Sequence, residues 1–281
     1  MVFFVDFPTN RIYKFSSFNE YSISALADRS AWFSKTKNLN DPFEGFFSLI
    51  EPLDEDKKLT LYIKYAAKCL KIKLSESEAL DAAMQLYMED KDVFTTKVES
   101  SIEEMKMQRK SFINNLCVFS TSVDIPSYPT PNYANMLMWS HYGNGFSGFC
   151  LQFSASDFYE SLKEKNSESN IAWSTLDYVD KPITIDLFDY LVKDDVNYFK
   201  SIQVKHEQWS YEGELRFISK KEGLHQYSSN ALESIYIGEK MPIGQQKVIF
   251  AIAKVVFPNT KVYIVKVHPS GYNVIAEAIK V

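Results

Sequence analysis

The 281-residue chain has little of what most often announces a site. It has three cysteines, Cys69, Cys117 and Cys150, widely spaced and without a CxxC pair. That argues against a disulfide framework and against a zinc site. Cys117 and Cys150 stand in apolar strand-like runs and read as small buried hydrophobes. Of four histidines, His141, His206, His225 and His268, no two have the spacing of a helix-borne metal pair. No GxGxxG follows a strand, and there is no GxxxxGKS and no GxSxG, so dinucleotide loop, P-loop and hydrolase elbow have no local signal. The three glycines of Gly143–Gly148 lie between a helix and a strand and read as a turn. No window approaches the roughly 18 uncharged apolar residues of a membrane span. The N-terminus, MVFFVDFPTNRIYKF, lacks the basic start and cleavage pattern of a secretion signal, so a cytoplasmic protein is expected. Positive charge is not in excess: 31 Lys and Arg stand against 36 Asp and Glu, a net −5. No global field draws nucleic acid. Lys106, Arg109 and Lys110 follow Glu103 and Glu104 on one expected helix and read as a solvated face.

What the chain does have is apolar bulk. Hydrophobic residues make up 46% and aromatics 15%, with 17 Tyr and 21 Phe. A chain of this size buries about three quarters of its unfolded surface, so a core without staples is expected. Strands are predicted at Arg11–Phe15 (bounded by Pro8), Leu116–Ser122, Phe149–Phe153, Ile171–Tyr178, Leu215–Ile218, Ile235–Ile237, Val262–Val267 and Tyr272–Ala276. Asn19 caps a short helix to Ala27, further helices are expected at Ala134–Tyr142, Asp186–Lys205 and Gln245–Val256, and Asn38–Gly45 reads as a shaped loop. From Asp54 to Asn114 there is no Gly or Pro; Leu61 to Leu70, Ala79 to Met88 and Val93 to Phe112 repeat at helical spacing, with Ser75 and Glu78 as a capping box. The expectation is one α+β domain over residues 1–281, with a helical insertion at about 54–114.

Chemistry is sought first in Glu212-Gly213-Glu214-Leu215-Arg216-Phe217. If this run enters a strand, Glu212, Glu214 and Arg216 share one face, the acids about 7 Å apart at Cα. Two such carboxylates repel unless a cation is near. The plainer alternative is a strand edge with Glu214 paired to Arg216 or to a lysine. In Met136–Tyr142, the residues Met138, Trp139 and Tyr142 form an apolar face that reads as core, with His141 beside it.

Taken in order, Tyr13-Lys14-Phe15, Leu39-Asn40-Asp41-Pro42-Phe43-Glu44, Cys117-Val118-Phe119-Ser120, Met138-Trp139-Ser140-His141-Tyr142, Gly148-Phe149-Cys150-Leu151-Gln152-Phe153 and Trp209-Ser210-Tyr211-Glu212-Gly213-Glu214-Leu215-Arg216 resemble a large bacterial family of unknown function. The resemblance covers nearly the whole chain apart from the helical block. It departs at Ser16, where the pattern has arginine, and at Gln152, where it has an acid.

A second resemblance carries an activity. ADP-ribosyltransferases use a split, mixed α/β sheet, with a basic residue on the first strand, Ser-Thr-Ser on a middle strand and Glu-x-Glu later. This chain offers Lys14, then Ser120-Thr121-Ser122, then Glu212-Gly213-Glu214. The resemblance implies cleavage of the nicotinamide–ribose bond of NAD through an oxocarbenium-like state. Glu214 would stabilise that charge and Glu212 would position or deprotonate the acceptor. Ser120 and Thr121 would orient Glu214, Ser122 would complete that strand, Lys14 would contact NAD, and Phe15 or Tyr142 would stack on nicotinamide. The acceptor would be a protein or nucleic acid, and the class implies a toxin or antiphage effector with an antitoxin or other partner protein. Two alternatives stand beside it: a metal-dependent nuclease using Asp41, Glu44, Glu212, Glu214 and Lys205, and a non-catalytic binding or sensor module.

Overall fold

The computed structural model describes residues 7, 9–71, 74–193 and 196–280. In chain order the strands and α-helices begin with β1 (Arg11–Ser16), α1 (Glu20–Ala27), β2 (Ser30–Lys35), β3 (Ser48–Ile50), α2 (Glu55–Leu70), α3 (Glu76–Glu89) and α4 (Lys91–Asn115). There follow β4 (Cys117–Val123), α5 (Met136–His141), β5 (Phe149–Ser154), α6 (Ala155–Lys165), β6 (Ala172–Thr175), β7 (Asp177–Val179), β8 (Thr184–Asp186) and α7 (Leu187–Leu191). Then come β9 (Val204–His206), β10 (Glu214–Ser219), β11 (Gly223–Gln226), β12 (Leu232–Gly238), α8 (Ile243–Val256), β13 (Lys261–Val267) and β14 (Val274–Ile279). The fold is mixed α+β. It divides into two compact units, one of Met1–Asn38, Leu116–Tyr178 and Glu207–Val281, the other of Leu39–Asn115 and Val179–His206.

The first unit is built on a mixed sheet ordered β11-β2-β4-β1-β5-β12-β13-β14, with β10 joining β4 to β6. Only a crossover can bring two strands into parallel pairing, and α8 supplies it between β12 and β13. β5 is central, and its residues Phe149–Phe153 are all buried, as a strand covered on both faces requires. One face packs on α1, α6 and α8 through Leu26, Phe158, Leu162, Ile249 and Ala253. On the other face Tyr13, Phe15, Cys150 and Tyr236 cluster with Met138 and Trp139 of α5. Gly148 is needed in the turn before β5, because a Cβ there would sit 2.3 Å from the Ser16 carbonyl oxygen.

Cross-strand partners share a face. The registers therefore set Glu214, Ser122, Tyr13, Gln152, Ser234 and Lys261 in one transverse row on one side of the sheet.

In the second unit α2, α3 and α4 enclose Leu61, Tyr65, Ala83, Phe94 and Ile102, together with Tyr190 and Leu191 of α7. Asp54 caps α2, and the Ser75–Glu78 box opens α3 as its spacing indicated. β3 and β8 add a two-stranded parallel ladder.

Asn19 caps α1 as expected, in a box completed by Ser22. Two expectations are corrected, and one helix was missed. The helix expected over Asp186–Lys205 is only α7; a 3-10 helix follows at Val196–Gln203, and Val204–His206 is a strand. β-branched Val192 and Val204 favour that outcome. The strand expected over Ile171–Tyr178 breaks into β6 and β7. Helix α6 was not foreseen, although Ser154 accepts from Asp157 N at its start. Pro8 lies outside the described residues.

His225 on β11 is buried against Phe33, ring centres 4.3 Å apart, with Nδ1 3.1 Å from the Gly223 carbonyl oxygen. Desolvation by burial lowers its pKa below the ordinary 6.5. The unfolded chain then takes up the proton first, so this group's contribution is intact above about pH 6.5 and is lost as pH falls toward the lower folded value. Denaturant titrations between about pH 7 and pH 5 should show a shallower loss of stability in His225→Gln than in the parent; equal slopes would remove His225 from the account.

Candidate active site

The edge of β4 that faces β1 is shared between two strands. Ser122 and Val123 pair with Tyr13 and Ile12 of β1, while Val118 and Cys117 pair with Ser34 and Lys35 of β2. Phe119–Thr121 lie between these ladders, and Lys14 reaches this interval. Its Nζ donates to the Ser120 carbonyl oxygen at 2.8 Å and stands 4.8 Å from the centre of the Phe119 ring. Part of Lys14 remains accessible, but atoms crowd its ammonium. Burial pushes its pKa below the ordinary lysine range, and Glu214 and then Glu212 draw it back up. The charges of the two acids, about two hundred residues further along the chain, therefore act on the first-strand cation.

Glu214 opens β10, buried, opposite Ser122. Arg216, two residues on and on the same face, holds both its oxygens: Nε donates to Oε1 at 2.7 Å and Nη2 to Oε2 at 3.3 Å. The guanidinium is itself 1% exposed. A planar fork suits this two-point grip. The Glu214 amide donates to the Tyr178 hydroxyl oxygen at 2.7 Å. Burial raises the Tyr178 pKa strongly, so that hydroxyl stays neutral.

Glu212 is not on the strand, which corrects the expectation of one shared face for Glu212, Glu214 and Arg216. It ends the 3-10 helix Glu207–Glu212, and Gly213 at φ +51° turns the chain before β10 begins. That left-handed conformation favours glycine, and a Cβ there would lie 2.7 Å from Ile125 Cγ1. The turn leaves Glu212 buried with Oε1 accepting from the Tyr142 hydroxyl at 2.5 Å. Next to it, the Tyr211 hydroxyl is 2.7 Å from His141 Nδ1, and burial followed by the charge of Glu212 pushes Tyr211 up to about 12. Asn135 ties the two segments together: its side chain caps α5, and its Nδ2 donates to the Tyr211 carbonyl oxygen at 2.7 Å.

The remaining expected residues divide. Ser120 is partly accessible and contributes its carbonyl to Lys14. Thr121 Oγ1 donates to the Leu215 carbonyl oxygen at 2.8 Å, holding β10 on β4. Ser122 is buried behind Tyr13, its Oγ 3.4 Å from the Tyr13 carbonyl oxygen. Tyr142 is half-buried and touches Glu212. Phe15 is buried edge-on to Trp139 at 5.3 Å, so it packs the core. Tyr178 and Tyr211 were missed, since nothing in the sequence marks either ring as a neighbour of the acids. Among the described residues no group of three or more His, Cys, Asp or Glu is placed to hold a metal ion.

Replacing Arg216 by Met should destabilise the fold by about 3–5 kcal/mol near neutral pH, because Glu214 loses its guanidinium while remaining buried. The double variant Arg216→Met, Glu214→Gln should recover part of that cost. Chemical denaturation of both variants measures this; an equal cost in the two would mean that lost packing, and not lost charge, is responsible.

No curated protein and no solved structure matches the chain. The span that carries Met138, Tyr142, Glu212, Glu214 and Arg216 does find a counterpart: residues 138–217 match the family model described as Protein of unknown function (DUF2971), in support of the family of unknown function that the sequence resembles.

Proposed function

We propose that this chain is a cytoplasmic NAD-consuming enzyme of the ADP-ribosyltransferase type, built on a split sheet whose opening between β1 and β2 is lined by Lys14. The observation that supports the reading is that Lys14, bonded to the Ser120 carbonyl, feels the charges of Glu214 and Glu212, while Ser120 and the Glu212 partner Tyr142 stay partly accessible. Pairing of the Glu-x-Glu strand with the Ser-Thr-Ser strand supports a joint role for the two segments.

The roles follow from what each group already touches. Glu214 is gripped at both oxygens by Arg216, so it sets the field of the site. Glu212 faces the breaking bond in this proposal. The pyridinium nitrogen leaves with the electron pair of the C1′–N bond and departs as neutral nicotinamide. The ribose C1′ becomes oxocarbenium-like and is stabilised by the carboxylate. An acceptor hydroxyl or amine then bonds to C1′, and Glu212 takes its proton. Tyr142 orients Glu212 through its hydroxyl. Lys14 balances the diphosphate as a point charge.

The closed Glu214–Arg216 pair also supports a second reading, a binding module in which these charges only hold the sheet.

Incubation of the purified protein with NAD and cell lysate separates the two. Nicotinamide release with transfer of labelled ADP-ribose is expected, and Glu212→Gln should lower turnover by about 10²-fold without unfolding the chain. Absence of both products from the parent protein would favour the binding module.

A further inference from the structure

A second polar concavity lies on the first unit, toward the far end of the transverse row that starts at Glu214. It is a cleft of about 540 Å³ whose lining includes Arg11, Gln152, Glu233, Tyr236, Lys261 and Tyr263. That volume is in the range of small-molecule sites.

The cleft is organised by a defect in the sheet. Leu232 of β12 faces Phe153 of β5, but Ser234 faces Gln152, so Glu233 is an extra, unpaired residue. Such a bulge re-aims a side chain. Here the Glu233 carboxylate is received by Gln152, which is 5% exposed. Gln152 Nε2 donates to Glu233 Oε2 at 2.7 Å, and Gln152 Oε1 accepts from the Tyr236 hydroxyl at 2.8 Å. Only an amide serves both ends of this chain; a carboxylate at 152 would face a second carboxylate. Arg11 Nε stands 3.8 Å from the same Glu233 oxygen. Beside this network three tyrosine rings are stacked: Tyr133 on Tyr236 at 4.3 Å and Tyr236 on Tyr263 at 5.1 Å. Tyr263 ends the stack among the described residues and is half-buried.

The cleft therefore combines a terminal aromatic face, a carboxylate fixed by a buried amide, and two exposed cations, Arg11 and Lys261, that leave its charged lining net positive on an acidic chain. We propose that it is a binding site for a nucleoside monophosphate: the base stacks on Tyr263, a ribose hydroxyl donates to Glu233, and Arg11 and Lys261 hold the phosphate. The assignment does not rest on the reading of Glu212 and Glu214.

Isothermal titration of the full chain with AMP, adenosine and inorganic phosphate tests it. Saturable AMP binding is expected, stronger than that of adenosine or phosphate alone. The double variant Arg11→Ala, Lys261→Ala, at exposed positions that do not threaten folding, should weaken AMP by at least about tenfold and leave adenosine unchanged. Gln152→Glu, of nearly the same shape, should weaken AMP as well, with its thermal unfolding recorded alongside. The proposal is overturned if AMP shows no saturable binding, or if the double variant binds AMP as tightly as the parent does.

Discussion

A carboxylate buried as deeply as Glu214 is costly to desolvate, and its pairing with Arg216 is the constraint on which the site depends. Both groups stand on one short strand, two residues apart, so their meeting follows from the strand's alternation and needs no long-range luck. The pair lets β10 enter the sheet with its first residue charged and still pack Leu215 and Phe217 into the opposite face. Two further charges are added to it. Glu212 arrives from the preceding 3-10 turn, buried, and partly accessible Lys14 of β1 feels the charge of both acids. Taking one away leaves the others unbalanced, which is why the site and the sheet cannot be separated energetically.

The same sheet positions the candidate site. The β4 edge hands over from β2 to β1, and the interval between those ladders is where the Lys14 ammonium meets the Ser120 carbonyl. Tyr142, at the end of α5, bonds to Glu212, and Asn135 fastens α5 to the segment carrying Tyr211 and Glu212. A polar row then crosses the sheet from Glu214 to Lys261, and its two ends differ. One is a charge-balanced cluster; the other is a cleft shaped by the Glu233 bulge.

Much of this was legible in the sequence where local signals and packing agree. Asn19 and Ser75 cap helices as their neighbours indicated, and the apolar run Phe149–Phe153 is a central strand. The side of the strand on which Glu212 falls was not legible, because a single left-handed glycine at 213 cancels the alternation that pattern reading assumes. The stretch after Asp186 misled because its early helical spacing is genuine for only five residues. The cleft left no trace either: a bulge is a matter of pairing between β12 and β5, and no property of either strand alone records it.

The central claim is that Glu212 faces a breaking N-glycosidic bond with Lys14 beside it. A crystal structure of the chain with a non-hydrolysable NAD analogue tests this most directly. The account expects the nicotinamide ribose against Glu212 and Tyr142, with the diphosphate at Lys14. An analogue seated only in the Arg11–Lys261 cleft, or none bound at saturating concentration, would contradict it.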